Sequence, residues 1–263
     1  MSPPVIEARG VGISFGGVRA LDDVSFAARA GEVFSIIGPN GAGKTTLFNI
    51  VSGLYRPDAG KVLLAGEDVT ALPPHLLAAR GLCRTFQNLQ IFFRMTALEN
   101  VMVGRHLHEE RGLLPALFRL PSVLRQNRAT RERARDLLAF VGLEKRADDP
   151  AGALPYGALK RLEIARALAA EPRVLLLDEP AAGCNAVETE EIDRLIVTIA
   201  ERGAAVVLVE HDMKLVMRIS TRILVLNHGR MLAEGTPAEV RANPEVVAAY
   251  LGRHAAEAAH AAG

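Results

Sequence analysis

The sequence predicts an α/β protein: a parallel-sheet core, an antiparallel β subdomain at its start, and an α-helical subdomain inserted into the core. Three observations predict it. Short, continuous apolar runs at Val33-Phe34-Ser35-Ile36-Ile37, Val174-Leu175-Leu176-Leu177, Ala205-Val206-Val207-Leu208-Val209 and Ile223-Leu224-Val225-Leu226 read as strands covered on both faces. Helical patterns at about 187–202 and 213–219 separate the last three runs, giving the β-α-β alternation of a parallel sheet. Between Thr96 and about Ala170, strand signals vanish and helical periodicity dominates, as in Arg131-Glu132-Arg133-Ala134-Arg135-Asp136-Leu137-Leu138.

In chain order, Val5-Ile6-Glu7-Ala8 and Val24-Ser25-Phe26-Ala27 alternate like edge β structure, turning at Ala30-Gly31-Glu32 into the strand that begins at Val33. Arg56-Pro57-Asp58-Ala59-Gly60 is a turn, followed by a strand at Lys61-Val62-Leu63-Leu64. Pro73-Pro74 opens a short helix to Arg80, and Leu82-Cys83-Arg84-Thr85-Phe86 reads as a further strand. The stretch 105–128, rich in Arg, Leu and Pro, shows no firm periodicity, and its structure stays open. Asn227-His228-Gly229 predicts a tight hairpin turn into Arg230-Met231-Leu232-Ala233-Glu234. The tail from Ala255 is Ala-rich and expected to fray. The expected layout is a single domain with a core of about 1–87 and 171–235, a helical insert of about 88–170 and a helical tail of 236–263.

Gly38-Pro39-Asn40-Gly41-Ala42-Gly43-Lys44-Thr45-Thr46 lies between the strand at 33–37 and the helical run Leu47-Phe48-Asn49-Ile50-Val51. It fits G-x-x-x-x-G-K-S/T in the strand–loop–helix context that a phosphate-binding loop requires. Glycines let the backbone approach a phosphate closely, and consecutive N–H groups at a helix N-terminus point at the anion. Lys44 would neutralise β/γ-phosphate charge, and the Thr45 hydroxyl would hold Mg²⁺. The loop predicts binding of a nucleoside triphosphate.

At 263 residues with 49% apolar residues, the chain can bury a substantial core. A net charge of +1 argues against a dedicated nucleic-acid binder, which usually carries a basic excess. Cys83 and Cys184 lie far apart without Cys or His neighbours at ligand spacing, so reduced cytosolic thiols are expected. Met1-Ser2-Pro3-Pro4 opens no secretory signal, and the apolar runs are too short to span a bilayer. Any work at a membrane would go through a partner.

Asp178 and Glu179 stand at the end of an apolar strand, and ligands bind at such carboxyl ends in open α/β sheets. Asp178 suits Mg²⁺ coordination, and Glu179 suits a base accepting the proton of an attacking water. His211, after the run 205–210, suits a γ-phosphate contact; Gln87, after the strand ending at Phe86, suits the metal and the attacking water. No Asn-Lys-x-Asp motif is present to read guanine.

The phosphate loop, Gln87, Leu154-Pro155-Tyr156-Gly157-Ala158, Asp178-Glu179 and His211 occur in the order found in ATP-binding cassette (ABC) transporter ATPases, and the chain resembles that family over nearly its whole length. It is most similar to one of the two ATPase subunits of branched-chain amino acid importers. That likeness rests on Arg84-Thr85-Phe86-Gln87-Asn88, Tyr156-Gly157 with Arg161-Leu162-Glu163-Ile164-Ala165-Arg166, Glu179-Pro180-Ala181-Ala182-Gly183 with Asn185, and Ala249-Tyr250-Leu251-Gly252. The resemblance implies a P-loop, RecA-like core and an ATPase using ATP and Mg²⁺. Thr45, Gln87 and Asp178 would serve the metal, and Glu179, His211 and Gln87 would be catalytic.

By the same resemblance, Phe15 lies under adenine, although it also fits a core position on an alternating strand. Residues 89–95 would lie near a docking groove for a transmembrane partner; Ile91-Phe92-Phe93 reads equally as interface or core. Tyr156 and Gly157 would complete the ATP site of a second ATPase subunit, identical or different, in a head-to-tail dimer. Permease subunits and an extracytoplasmic substrate-binding protein are the further implied partners, with no nucleic acid. The implied location is the cytoplasmic face of the inner or plasma membrane, peripheral through the permeases. The alternatives are the ATPase of a lipid or glycolipid exporter and a non-transport ABC ATPase. The second usually has two cassettes or long coiled coils, whereas one phosphate loop and no sustained heptad occur here.

The chain departs from the family signature Leu-Ser-Gly-Gly-Gln. Pro155 offers neither hydroxyl nor N–H, while Gly157 and Ala158 keep their N–H groups at a helix start. Pro is comfortable at the first helical position, so the helix should survive. One lost hydrogen bond to a charged group, roughly 1.5–3 kcal/mol, would weaken the affected site about ten- to a hundred-fold. Two unequal ATP sites are therefore expected in a heterodimer whose partner has an unaltered signature.

Overall fold

Alternation of side chains in Pro4–Phe15 (β1) turns Ile6 and Ala8 inward, and a register irregularity between Ala8 and Val11 resets the alternation so that Val11 and Ile13 are also buried. The computed structural model describes residues 3–85, 89–106 and 121–249, with no side-chain detail for 121–124. Gln87 with Phe86 and Asn88, residues 107–120 of the undecided stretch, Tyr250-Leu251-Gly252 and the tail beyond lie outside the described residues. In the first sheet β1 pairs antiparallel with Val18–Arg29 (β2) and Ala59–Leu64 (β4), and β4 with Glu67–Asp68 (β5), giving the order β2-β1-β4-β5. So β1, expected at an edge, is internal. Side-chain alternation reports which face is buried and carries no information about how many backbone edges are paired.

The second sheet contains Val33–Ile37 (β3), Leu82–Arg84 (β6), Val174–Asp178 (β7), Ala205–Val209 (β8), Arg222–Asn227 (β9) and Arg230–Gly235 (β10). Its order is β10-β9-β3-β8-β7-β6, with every pair parallel except the β9–β10 hairpin. His228 and Gly229 at that hairpin have φ of 46° and 76°, the paired positive values of a tight two-residue turn. The apolar runs of β3, β7 and β8 are continuous because successive residues enter two different cores. Phe34, Ile36, Leu176 and Val207 pack with the first sheet and Leu47 and Phe48, while Ile37, Leu175, Leu177 and Leu208 pack under helices.

Helices among the described residues include Lys44–Val51 (α1), Pro74–Ala79 (α2), Ala97–Gly104 (α3), Pro121–Phe140 (α4), Tyr156–Leu168 (α5), Ala186–Glu201 (α6), Met213–Ile219 (α7) and Pro237–Ala242 (α8). Between Thr96 and Ala170 the described residues hold helices, short turns and one isolated bridge, Thr96 with Pro150, as the lost strand periodicity predicted. The part of the undecided stretch from Pro121 onward is the start of α4. Pro155 is the residue preceding α5, with φ −62° and ψ 159°, rather than its first helical residue. The missing N–H is harmless at that position, and the missing hydroxyl leaves α5 without a side-chain cap. Both cysteines are free thiols, and burial pushes that of Cys83 up to about 11.

Candidate functional site

The register of the second sheet gathers the candidate residues at one end. Ile36 of β3 and Asp178 of β7 both pair with Val209 of β8, so the residues that follow these strands emerge side by side. Those are Gly38 to Thr46 after β3, Glu179 after β7, and Glu210-His211 after β8. This is the carboxyl edge of a parallel sheet, where ligands bind in α/β folds.

Gly38 and Gly43 make the phosphate loop possible by having no side chain. A Cβ at Gly38 would stand 2.2 Å from the Leu226 carbonyl oxygen, and one at Gly43 2.6 Å from Leu21 Cδ2, with φ of 153° and 100° respectively. Asn40 and Gly41 are exposed at the crest, Pro39 is half-buried, and Ala42 is anchored inside. Lys44 is the first residue of α1; its Nζ donates to the carbonyls of Gly38 at 2.7 Å and Pro39 at 3.0 Å, curling the loop around the ammonium. Thr45 is exposed and Thr46 half-buried in the first turn.

Asp178 ends β7 with its side chain 9% exposed, paired to Arg84 Nη2 at 2.9 Å. Arg84, itself 8% exposed, also donates from Nη1 to Asn49 Oδ1 at 2.7 Å and Ser52 Oγ at 2.8 Å. One guanidinium thus ties the carboxylate at the end of β7 to the helix that begins at the phosphate loop. Glu179 has φ 49°, a left-handed conformation that side chains avoid, and costs of about 1–3 kcal/mol are typical of such residues at functional sites. Its N–H donates to the Val209 carbonyl at 2.9 Å, and Lys160 Nζ reaches its carbonyl at 3.5 Å. The Glu179 carboxylate lies 2.7 Å from His211 Nε2. When the carboxylate is ionised it can only accept, and Nε2–H is then the donor.

Glu179, His211, Asp178, Lys44 and the loop are therefore brought to one sheet edge. Phe15 ends β1, 46% exposed, with its ring edge-on to Tyr55 at 5.4 Å between centroids. It is an accessible aromatic surface and not the core position that alternation also allowed. Tyr156 is exposed at the start of α5. Gly157 is buried in its own chain, where a Cβ would stand 2.4 Å from Glu188 Cδ. Asn185 caps α6, its Oδ1 accepting from the N–H groups of Val187 and Glu188 at 3.0 Å, while Glu188 Oε2 accepts from the Asn185 N–H.

Three contributors escaped the sequence reading. Arg84 was legible only as part of a motif, although a charged residue inside an apolar strand signals a buried partner. Lys160 gives no signal in sequence. Glu210, directly after an apolar strand at the level of Glu179, was signalled by its position and overlooked.

A concavity of about 580 Å³ opens beside Arg84 and Ser52, lined by Leu54, His75, Leu89, Phe92, Val103 and Arg166. Its lip is pinned by Asn100, which accepts from the Phe92 N–H at 2.9 Å and donates to the carbonyls of Phe92 and Thr96. Arg166 of α5 donates to the Gln90 carbonyl, and Glu163 accepts from the Gln90 N–H at 3.4 Å. Ile91 is core, while Phe92 and Phe93 are exposed.

Residues 21–182 match the ABC transporter family, and residues 230–256 match the branched-chain amino acid ATP-binding cassette transporter family. The chain is 47% identical over 253 residues to the high-affinity branched-chain amino acid transport ATP-binding protein BraF of Pseudomonas aeruginosa, covering 96% of this chain and 99% of that one. It is 44% identical over 253 residues to the corresponding protein LivG of Escherichia coli K12, with the same coverage. The lipopolysaccharide export system ATP-binding protein LptB of Haemophilus influenzae is 35% identical over 248 residues, covering 94% and 97%. Among solved structures, a nucleotide-free ATP-binding cassette from an ABC transporter superposes with a TM-score of 0.82 at 32% identity, covering 94% and 99%. The ADP conformation of an ATP-binding cassette of an ABC transporter superposes with a TM-score of 0.82 at 31% identity, covering 95% and 100%. With the phosphate loop, the paired acids and the histidine on one sheet edge, these likenesses establish that the chain belongs to the ATP-binding cassette (ABC) transporter family.

Proposed function

We propose that this chain is the ATP-hydrolysing subunit that drives import of branched-chain amino acids through membrane-spanning permeases. The observation that carries the substrate class is the match at 230–256, a segment beyond the general ABC match at 21–182. The high identity to two branched-chain transport ATP-binding proteins supports it. Among the described residues no helix is long and apolar enough to cross a membrane, which fits attachment through partners at the cytoplasmic face of the inner or plasma membrane.

In this reading Lys44 exchanges the carbonyls of Gly38 and Pro39 for phosphate oxygens, and the loop's N–H groups cradle the phosphates. Phe15 offers its face to adenine. The buried Asp178 carboxylate and the Thr45 hydroxyl are hard oxygen donors that fit Mg²⁺, with Gln87 as a further ligand. When bound, the ion would neutralise phosphate charge. Glu179 accepts the proton of the attacking water, a role typically worth roughly 10²–10⁴ in rate. The Glu179–His211 hydrogen bond aims the carboxylate, and His211 would contact the γ-phosphate, a role that the family resemblance implies for Gln87 as well.

Tyr156 and Gly157 complete the site of a second ATPase subunit, and an extracytoplasmic binding protein delivers substrate on the other side. The concavity beside Phe92 and Phe93 receives a cytoplasmic segment of the permease; exposed aromatics around an apolar hollow suit such an interface. Tagged permeases should co-purify this chain, and proteoliposomes holding the complex and binding protein should accumulate labelled leucine with ATP. Lipid or glycolipid extraction without leucine uptake would instead favour the exporter reading, and recovery of no membrane protein would contradict both.

A further inference from the structure

Glu210 lies between β8 and His211, is 5% exposed and stands apart from the residues assigned to phosphate and metal. Its two carboxylate oxygens point in different directions. Oε1 accepts from the backbone N–H of Ala181 at 3.2 Å, and Oε2 accepts from the backbone N–H of His211 at 3.1 Å. The preceding Val209 accepts the N–H of Glu179 through its carbonyl. Residues 209–211 therefore grip 179–181 at two points, one on each side of the Glu179 backbone that holds φ 49°.

A left-handed non-glycine residue persists only where its surroundings over-determine it. A buried carboxylate is a costly means of satisfying two amides, since burial disfavours its charge. Its advantage is geometric: two acceptors at fixed separation bridge two loops at once. A glutamine keeps one acceptor and presents an NH₂ to the other amide.

We propose that Glu210 is a positioning residue for ATP hydrolysis, bracing the turn that carries Glu179 against the turn that carries His211 so that their side chains meet. Because Ala181 lies on the stretch leading to the cap of α6, the same brace ties this pair to the segment next to Asn185. The assignment rests on Glu179 and His211 acting together in hydrolysis.

The test is a mutant cycle in the full-length chain. Glu210→Gln should lower kcat about 10- to 100-fold, the scale of a displacement of about 1 Å at a reacting group, while the Kd for ATP changes less than about two-fold. In a His211→Ala background the same change should cost less than about three-fold more, since residues that act as a unit are not additive. In the wild-type chain the Ala181 amide should be protected from hydrogen exchange, a readout that stands even if the variant fails to fold. An unprotected Ala181 amide would overturn the proposal. So would an equal loss on both backgrounds, or a loss that tracks a fall in melting temperature or a rise in KM at unchanged kcat. If Glu179→Gln and His211→Ala both retain full turnover, the reading of the site itself fails, whatever Glu210 does.

Discussion

Arg84 carries more of the site's architecture than any residue of the phosphate loop except Lys44. Its guanidinium holds Asp178, Asn49 and Ser52 together, and Ser52 caps the C-terminus of α1, where positive charge is favoured by the helix dipole. Removing one partner of a buried pair leaves an uncompensated charge, typically costing about 3–5 kcal/mol. Arg84→Leu should therefore lower unfolding free energy by about 3–5 kcal/mol in urea titrations, and Arg84→Lys should recover only part of it because the fork is lost. At this scale the sequence was partly legible. Lys44, Asp178 and Glu179 announce themselves by motif, since their chemistry depends on local spacing. Arg84 and Glu210 act through residues 94 and 29 positions away, and spacing carries no such information.

At the scale of elements, caps decide where the site's helices begin. Asn185 and Glu188 form a reciprocal box at α6, and α5 starts after Pro155 with no side-chain cap. Asn and Asp are comparable caps, so Asn185→Asp should change stability by less than about 0.5 kcal/mol, whereas Asn185→Ala should cost about 1 kcal/mol in urea unfolding. Thr96 with Glu99 and Thr236 with Glu239 repeat the box at α3 and α8, and the Thr backbone N–H groups hold both carboxyls below their ordinary value of 4.5. A lowered folded pKa gives stability that is present above 4.5 and lost as pH falls through the lowered value. Burial raises Glu210, with the opposite sign: its contribution falls as pH rises from 4.5 through the raised value. Glu99→Gln with Glu239→Gln should therefore flatten the acid-side fall in urea midpoint while leaving the Glu210 contribution in place. Strands and helices of the core were legible because both-face burial and helical period are local patterns. The internal position of β1 was not, because strand order depends on partners distant in sequence.

For the whole molecule, a complete cradle coexists with an altered signature. Pro155 and Ala158 sit at the start of α5 beside Gly157, and Gly157 itself packs on Glu188. If the partner cassette has an unaltered signature, the site holding Lys44 and Glu179 should turn over faster than the site lined by Pro155. Glu179→Gln in this chain should then cost the assembled transporter more ATPase activity than the matching change in the partner, and equal losses would remove the asymmetry. Glu179 is held in a left-handed turn with its carboxylate against His211, and we propose that it is the base of ATP hydrolysis. Steady-state phosphate release by the full-length chain and by Glu179→Gln, with ATP binding measured alongside, tests it most directly. The account predicts turnover reduced by roughly 10²–10⁴ with ATP still bound, and turnover within a few-fold of wild type would contradict it.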